Sequence, residues 1–331
     1  MTSSATQKTT ATQDFSLRAA LMKHATLTAL LALIAFNVIF TNHFLSVQTL
    51  NVNLTQVATI VIVGVGMTLV IATGGIDLSV GSMMAISGAI APLIFLGTAI
   101  KISEIHIAVA VAMITAVLVA GAFGWFNGWL ITRFKIQPII ATLVLFIAGR
   151  GIAQVSTNGN LQPFKLAQFQ WIGLGRWFGI PVQVIIMAIL VVAAAWVLRR
   201  SLFGRQILAI GGNESAARLA GIPVAAVKRW VYCISGLCSG VAGLVVIAIN
   251  SSSDANLVGL GMELDAIAAV AVGGTLLSGG RATVTGTLIG ALIIQLVRYT
   301  LLSNGVNDDV AKLVKAALIV LAVWLQRLGR A

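Results

Sequence analysis

Long apolar stretches recur along nearly the whole chain. Of its 331 residues, 59% are hydrophobic and only 9% are charged. A soluble domain cannot bury that much apolar surface. Because about 20 apolar residues cross the hydrocarbon core of a bilayer as a helix, a chain of this length has room for many spans. The sequence therefore predicts an all-α, polytopic transmembrane helical bundle.

Runs of low charge, bounded by polar or turn residues, mark the candidate spans. About ten are predicted, at 25–43, 54–73, 76–100, 106–132, 138–157, 180–198, 229–250, 263–280, 283–303 and 310–326. Residues 1–24 are polar and rich in threonine, and we expect an uncleaved cytosolic tail there, with the transmembrane domain over 25–331. The pairs Gly74-Gly75 and Gly279-Gly280 predict tight helix–helix turns, because glycine admits the positive φ that helix ends commonly need.

Lysine and arginine indicate the orientation, since basic loops are retained in the cytosol. In the ten-span arrangement most basic residues fall on one side, and only Lys101, Lys165 and Arg176 fall in loops on the other. Both termini are therefore predicted to be cytoplasmic. This topology also explains the net charge of +12. The basic residues are scattered around the rim of a membrane protein, so we expect contact with membrane lipid and none with nucleic acid.

A polar, basic stretch at 199–229 interrupts the apolar sequence near its middle. Asn213 is a good N-cap, Glu214 favours a helix N-terminus, and Gly221 ends the helix before Pro223. These signals predict a short helix on the cytosolic side, suited to act as a lever for a partner protein. An ordinary interfacial loop is the alternative.

Polar side chains inside predicted spans are the candidates for a gate or a solute path. A carboxylate at mid-bilayer costs about 2.5–3.5 kcal/mol on insertion scales, so it needs a partner, water or a function. Asp77 either caps the next helix or stands at a cytosolic gate. Arg150 either lines the path or links to a carbonyl or carboxylate. The full set is Asp77, Ser79, Asn127, Arg150, Gln154, Asn250, Asp265 and Gln295, with Thr142 and Ser251 as further members of the path.

The sequence offers little to an enzymatic interpretation. It contains no phosphate-binding loop and no zinc-protease motif, and its three histidines are far apart in the sequence. Cys233 and Cys238 lie five residues apart on one predicted span, a spacing that does not suit a disulfide or a metal pair. We therefore expect no catalytic activity and no cofactor on this chain.

The chain resembles the permease subunits of bacterial sugar ABC importers of the ribose, xylose and galactofuranose group. The resemblance covers about 50–326 and is most specific in four segments, GMTLVIATGGIDLSVG, KIQPIIATLVLFIAGRGIAQ, AIGGNESAARLAGI and ELDAIAAVAVGGTLLSGGR. It is greatest to the galactofuranose-type permeases. It implies a bundle like that of type II ABC importers, placed in the bacterial inner membrane.

The same resemblance implies the partners of the chain and import as the direction of transport. A permease of this kind pairs with a second copy or a sister permease, binds an ABC ATPase that carries ATP and Mg²⁺, and receives a monosaccharide from a periplasmic sugar-binding protein. The coupling residues would be Gly211, Gly212, Asn213, Glu214, Ala217, Arg218 and Gly221. An ion-coupled secondary transporter is the rival hypothesis, in which Asp77 or Asp265 binds a proton or sodium.

Overall fold

The computed structural model describes residues 25–328 of the chain. The predicted tail over 1–24 and the residues after 328 lie outside this range. The helices are α1 Ala25–Phe40, α2 Val47–Ala72, α3 Val80–Phe95, α4 Ile105–Phe134, α5 Pro138–Ser156, α6 Ala167–Leu174, α7 Val182–Arg200, α8 Leu202–Gly212, α9 Glu214–Leu219, α10 Val224–Asn250, α11 Met262–Val272, α12 Val284–Ser303 and α13 Asp308–Leu328.

Four two-residue strands complete the described structure: β1 Gln162–Pro163, β2 Arg176–Trp177, β3 Ile180–Pro181 and β4 Ser252–Ser253. Strand β1 pairs antiparallel with β4, and β2 pairs antiparallel with β3. Both pairs only tie loops together, so the prediction of an all-α polytopic membrane protein fits the structure.

Six helices among the described residues are long and apolar enough to cross a membrane, namely α2, α4, α5, α7, α10 and α12. Two further apolar helices, α1 and α3, are shorter. The predicted count of about ten spans is therefore not confirmed. The predicted span 263–280 ends early, because α11 stops at Val272, and the predicted span 76–100 contains a helix only over Val80–Phe95.

The glycine pairs lie in two non-helical segments, 73–79 and 273–283, rather than in tight turns between full helices. Gly74, Gly279 and Gly280 do adopt the expected positive φ, at 79°, 87° and 79°. After Gly74, the side chain of Asp77 accepts a hydrogen bond from the backbone nitrogen of Ser79 at 3.0 Å. This local turn competes with helical hydrogen bonding, so a new helix begins only at Val80.

Helix α2 is the centre of the bundle. Every residue from Val57 to Ala72 is buried, and the helix packs against α7, α10, α11 and α12. Helices α4, α5 and α7 lie at the periphery and expose apolar side chains such as Ile114, Ile147 and Val192. A lipid environment tolerates this exposed apolar surface because it needs no burial away from water.

Candidate functional site

Helices α8 and α9 lie at one end of the bundle, called the α9 end below. Ser201 caps α8 by accepting a hydrogen bond from the backbone nitrogen of Gly204 at 2.9 Å. Asn213 ends α8 and also caps α9, since its Oδ1 accepts from the backbone nitrogen of Ala216 at 3.0 Å. Gly221, at φ 79°, closes the segment. The short helix predicted from these cap residues is present at this place.

The two faces of α9 differ. Ala217 is 5% exposed and points into the body of the protein, whereas Leu219 is 91% exposed. Glu214 pairs with Arg218 at 3.0 Å and with Lys228 of α10 at 2.6 Å. The hydrogen bond from Lys228 is the largest cause that lowers the pKa of Glu214, with a smaller contribution from Arg218. The ion pairs of Glu214 therefore hold α9 in place, and α9 exposes the apolar side chain of Leu219 at its end.

Three glycine-rich pieces of backbone meet at the end of α8, just before α9, and we call this place the glycine junction: residues 72–75, 211–212 and 279–280. The amide of Gly280 donates to the carbonyl of Ala72 at 3.1 Å. A Cβ on Gly211 would overlap the Ala72 carbonyl and the Gly280 amide, and one on Gly279 would lie 2.8 Å from the nitrogen of Gly74. By contrast, a Cβ on Gly212 meets nothing within 4 Å. The junction joins α8 to the ends of both non-helical segments by backbone contact.

A buried polar network lies next to this junction. Oδ1 of Asp77 accepts from the Ser79 hydroxyl at 2.5 Å, and Oδ2 accepts from the Ser235 hydroxyl of α10 at 2.8 Å. Asn127 of α4 donates to the Ser79 hydroxyl at 2.9 Å. All four side chains are buried. Three of the predicted gate residues, Asp77, Ser79 and Asn127, are thus brought together at one point.

Sequence reasoning missed two members of this neighbourhood. Ser235 supplies the hydroxyl for Asp77, and the buried hydroxyl of Tyr232 has no hydrogen-bond partner among the described residues. Both residues sit in an apolar helix where serine and tyrosine give no signal alone. Their role follows only from the packing of α10 against the 73–79 segment.

The other predicted path residues lie away from this network. Arg150 donates to the carbonyls of Ala255 at 2.9 Å and Val258 at 2.6 Å. Gln154 donates to Oδ1 of Asn256 at 2.7 Å. Both residues therefore hold the loop 251–261, at the end of the bundle opposite to α9. For Arg150 this corresponds to the link to a carbonyl that the sequence left open as an alternative.

Three more predicted residues are dispersed. Asp265 pairs with Lys315 of α13 at 2.5 Å, with both side chains largely buried. Gln295, only 2% exposed, donates to Oε1 of Gln56 at 2.5 Å. Asn250 is exposed at the last residue of α10. The structure thus does not gather the predicted path residues into a single channel.

Thr142 and Ser251 also make contacts within the protein. The Thr142 hydroxyl donates to the carbonyl of Pro138 at 2.9 Å, and that of Ser251 accepts from Gln170 at 2.5 Å. Two amides were overlooked as well, of which Gln183 is buried and Gln56 is exposed. Gln183 of α7 donates to the Thr55 hydroxyl at 2.9 Å, and Gln56 accepts from Gln295. The regular spacing of polar residues along 48–56 was the signal that would have found this region.

Comparison with protein families supports one identification. Residues 50–323 match the family model described as "Branched-chain amino acid transport system / permease component". The chain is 40% identical to the ribose import permease protein of Escherichia coli K12 over 322 residues, 96% of this chain and 98% of that protein. The predicted resemblance to sugar ABC importer permeases is confirmed by these relatives.

Two further relatives extend the range of named sugars. The galactofuranose transporter permease protein of Escherichia coli K12 is 39% identical over 274 residues, 82% of this chain and 78% of that protein. The L-arabinose ABC transporter permease protein of Azospirillum brasilense is 33% identical over 287 residues, 87% of this chain and 82% of that protein. No solved structure matches the chain. These identities do not single out one sugar.

Proposed function

This chain belongs to the branched-chain amino acid transport system / permease component family, and we propose that it is the membrane subunit of an ATP-driven importer of a monosaccharide. It lies in the bacterial inner membrane with the α9 end and both termini in the cytosol. An ABC ATPase binds and hydrolyses ATP with Mg²⁺, a periplasmic sugar-binding protein delivers the sugar, and a second copy or a sister permease completes the membrane domain. The relatives named for ribose, galactofuranose and L-arabinose support this class of substrate.

The observation that carries the proposal is the position of α9 on the glycine junction. Leu219 projects into the surroundings, while Gly211, in the last turn of α8 just before α9, touches the backbone of Ala72 and Gly280. A push on α9 by a closing ATPase dimer reaches the ends of α2 and of the 273–283 segment without a flexible intermediate. Alternating access is a shift between two packings of the bundle, and this contact biases it.

Asp77 and its partners supply the gate in this proposal. The Asp77 carboxylate links the 73–79 segment to α10 by accepting from Ser235. It also accepts from Ser79 within the same segment. Asn127 ties the same place to α4 through Ser79. Because the bonds from Ser235 and Asn127 join this segment to two separate helices, they break or form together when the helices change their packing.

Transport assays with defined energy sources test the proposal. The chain is reconstituted in vesicles with an ABC ATPase and a periplasmic sugar-binding protein from the same organism, and uptake of labelled D-ribose, D-galactose, L-arabinose and D-fructose is measured. Uptake of at least one sugar is expected only when the ATPase, the binding protein and ATP are all present. Uptake driven by a proton or sodium gradient in vesicles without the ATPase would instead establish the ion-coupled transporter.

The docking role of α9 has its own test. Leu219→Gln should weaken co-purification of the ATPase, because the most exposed apolar side chain of α9 is lost. Leu174→Gln, at an exposed leucine in α6, is the matched control and should leave co-purification unchanged. Equal losses for both variants would contradict docking through α9. A cysteine at position 219 should also react with a thiol reagent only from the cytosolic side.

A further inference from the structure

The first turns of α2 carry a polar stripe, of which two members bond to neighbouring helices and two do not. Gln48, Asn51 and Thr55 recur at intervals of three and four residues along one face, and Gln56 follows Thr55 directly. Amide and hydroxyl groups in a membrane-spanning helix are expensive unless they are hydrogen-bonded or wetted. Gln48 and Asn51 make no side-chain hydrogen bond among residues 25–328. The side chains of Gln48 and Asn51 are therefore available to a ligand.

These residues line a cavity of about 620 Å³, which we call the α2 vestibule. Its walls are completed by Val47, Val52, Arg176 of the β2–β3 hairpin and Ile249 of α10. The volume falls within the range of about 300–1,000 Å³ usual for small-molecule sites. The vestibule lies at the end of the bundle opposite to α9, which faces the periplasm in the proposed orientation.

Two buried amides support the polar walls from behind. Gln183, 2% exposed, donates to the hydroxyl of Thr55 at 2.9 Å, and this leaves the Thr55 proton free to be donated to a ligand. Gln295 donates to Oε1 of Gln56 and thereby orients its amide. The Oε1 atom of Gln183 has no hydrogen-bond partner within the described range. Such supporting bonds fix the side chains that a ligand meets.

The α2 lining of the vestibule ends at Gln56. From Val57 onward every residue of α2 is buried, so the polar face ends where the helix enters the packed core. A molecule that enters from the open end therefore stops against α2 until the helices repack. This is the geometry of a waiting position in front of a closed gate.

We propose that the α2 vestibule binds the monosaccharide in the outward-open state, before it passes the gate; this inference rests on the proposed function. A neutral polyol needs donors and acceptors side by side, and the amides of Gln48, Asn51 and Gln56 offer both. A single cation, Arg176, is not enough to make the site one for polyanions. The neighbouring cavity of about 320 Å³, lined by Leu50, Leu54 and Leu292, is almost wholly apolar and suits no sugar.

Uptake by matched variants tests this assignment. Asn51→Leu and Thr55→Val remove polar groups from the vestibule, and each should lower uptake at low sugar concentration about tenfold, as loss of a ligand hydrogen bond does. Thr49→Val is the control, since Thr49 lines the apolar cavity instead. Its hydroxyl donates to the carbonyl of His43 at 3.2 Å, so the control loses more bonding within the protein than Asn51→Leu does. Wild-type uptake by both vestibule variants, at equal amounts of protein, would overturn the proposal.

Protection from labelling separates this inference from the proposed function. In a Cys233→Ala, Cys238→Ala background, Asn51→Cys should react with an impermeant maleimide from the periplasmic side, and one of the four sugars named above should slow the reaction. Protection without ATP-driven uptake would support the vestibule and reject the importer. ATP-driven uptake with rapid, unprotected labelling would keep the importer and reject the vestibule. A cysteine that the reagent does not reach would also reject it.

Discussion

The two ends of α2 are built on opposite principles. At the α9 end, the helix is buried on all sides and its last carbonyl, that of Ala72, meets Gly211 and Gly280 so closely that no side chain fits between them. At the other end, Gln48, Asn51 and Thr55 face a cavity. One end makes contact through backbone, whereas the other presents side chains.

Under the proposed function, the difference separates transmission of force from recognition of a solute. Backbone atoms in direct contact cannot move independently of one another. We therefore expect a small movement of α8 to displace the end of α2 and the 279–280 backbone, because packed contacts switch between discrete arrangements. Side chains around a cavity adapt to a ligand and contribute one hydrogen bond at a time. A single substitution at the glycine junction should therefore reduce uptake strongly, while each substitution at the opposite end should reduce it by a smaller amount.

The largest effect is expected from Gly211→Ala. The added methyl group would overlap the Ala72 carbonyl and the Gly280 amide, so α8 must move away from the junction. Overpacking of this kind costs about 1–3 kcal/mol, and we expect ATP-driven uptake to fall by about tenfold or more. Uptake and ATP hydrolysis measured together should show hydrolysis that no longer drives transport.

Gly212→Ala is the matched control for the same helix. A methyl group at this position meets nothing within 4 Å, so uptake should stay near that of the wild type. The variant also tests whether Gly212 belongs in the predicted coupling set. Equal losses at positions 211 and 212 would show that the segment needs flexible glycines, and the contrast between the two ends of α2 would fail.

Arg150→Met examines the opposite end. Arg150 donates to the carbonyls of Ala255 and Val258, and its loss leaves these groups without their partner. Hydrogen bonds to a charged group contribute about 1.5–3 kcal/mol, so the free energy of unfolding should fall by about this amount. The fall should appear as a lower midpoint temperature of thermal unfolding in detergent. Gln154→Met removes an exposed bond to Asn256 and should change stability by less.

The same variant decides between the two roles that the sequence left open for Arg150. Reduced stability with uptake reduced only in proportion identifies a link that holds the loop 251–261. Normal stability with lost uptake places the guanidinium in the solute path instead. The second outcome would extend the recognition region beyond the α2 vestibule and toward the outer part of α5.

Ser235→Ala should have a smaller effect, near the glycine junction. Its hydroxyl donates to Oδ2 of Asp77 at 2.8 Å across two segments of the chain. Removal leaves a buried carboxylate oxygen without that donor, at about 1–2 kcal/mol of stability. Ser239→Ala is the control, since that hydroxyl only donates to the Ser235 carbonyl of its own helix. Equal stability of the two variants would argue against a tie between Asp77 and α10.

The sequence was sufficient where local chemistry decides the structure. Asn213 and Gly221 are cap residues whose signals act over a few positions, and they placed α9 correctly. The four segments of resemblance likewise led to the family. Membrane class followed from composition alone, because no soluble core accommodates so much apolar surface.

Contacts between distant segments explain what the sequence missed. The segment 273–283 contains Leu276 and Leu277, and its apolar sequence led to the prediction of a helix there. Its position depends on the hydrogen bond from Gly280 to Ala72, which the sequence does not show. Asp265 remains a predicted path residue, but its ion pair with Lys315, 50 positions away, could not be read from the sequence. The polar face of α2 differs from these cases, since its helical spacing was readable in the sequence.

The smallest effect concerns the pH dependence of the ion pairs on α9, the exposed side of the junction. Lys228, and to a lesser extent Arg218, lower the pKa of Glu214. A carboxylate whose pKa is depressed on folding contributes stability above its unfolded pKa, and this stability is lost as pH falls through the folded pKa. The Glu214 side chain is 42% exposed, so its ion pairs contribute less than about 1 kcal/mol.

The stability difference between wild type and Glu214→Gln should therefore stay constant from neutral pH to about pH 5 and shrink below about pH 4. Thermal unfolding of both proteins across this range measures the difference. A difference that changes near neutral pH would mean that Glu214 is not held ionised by Lys228, and α9 would then lack the fixed attachment that transmission through Gly211 requires.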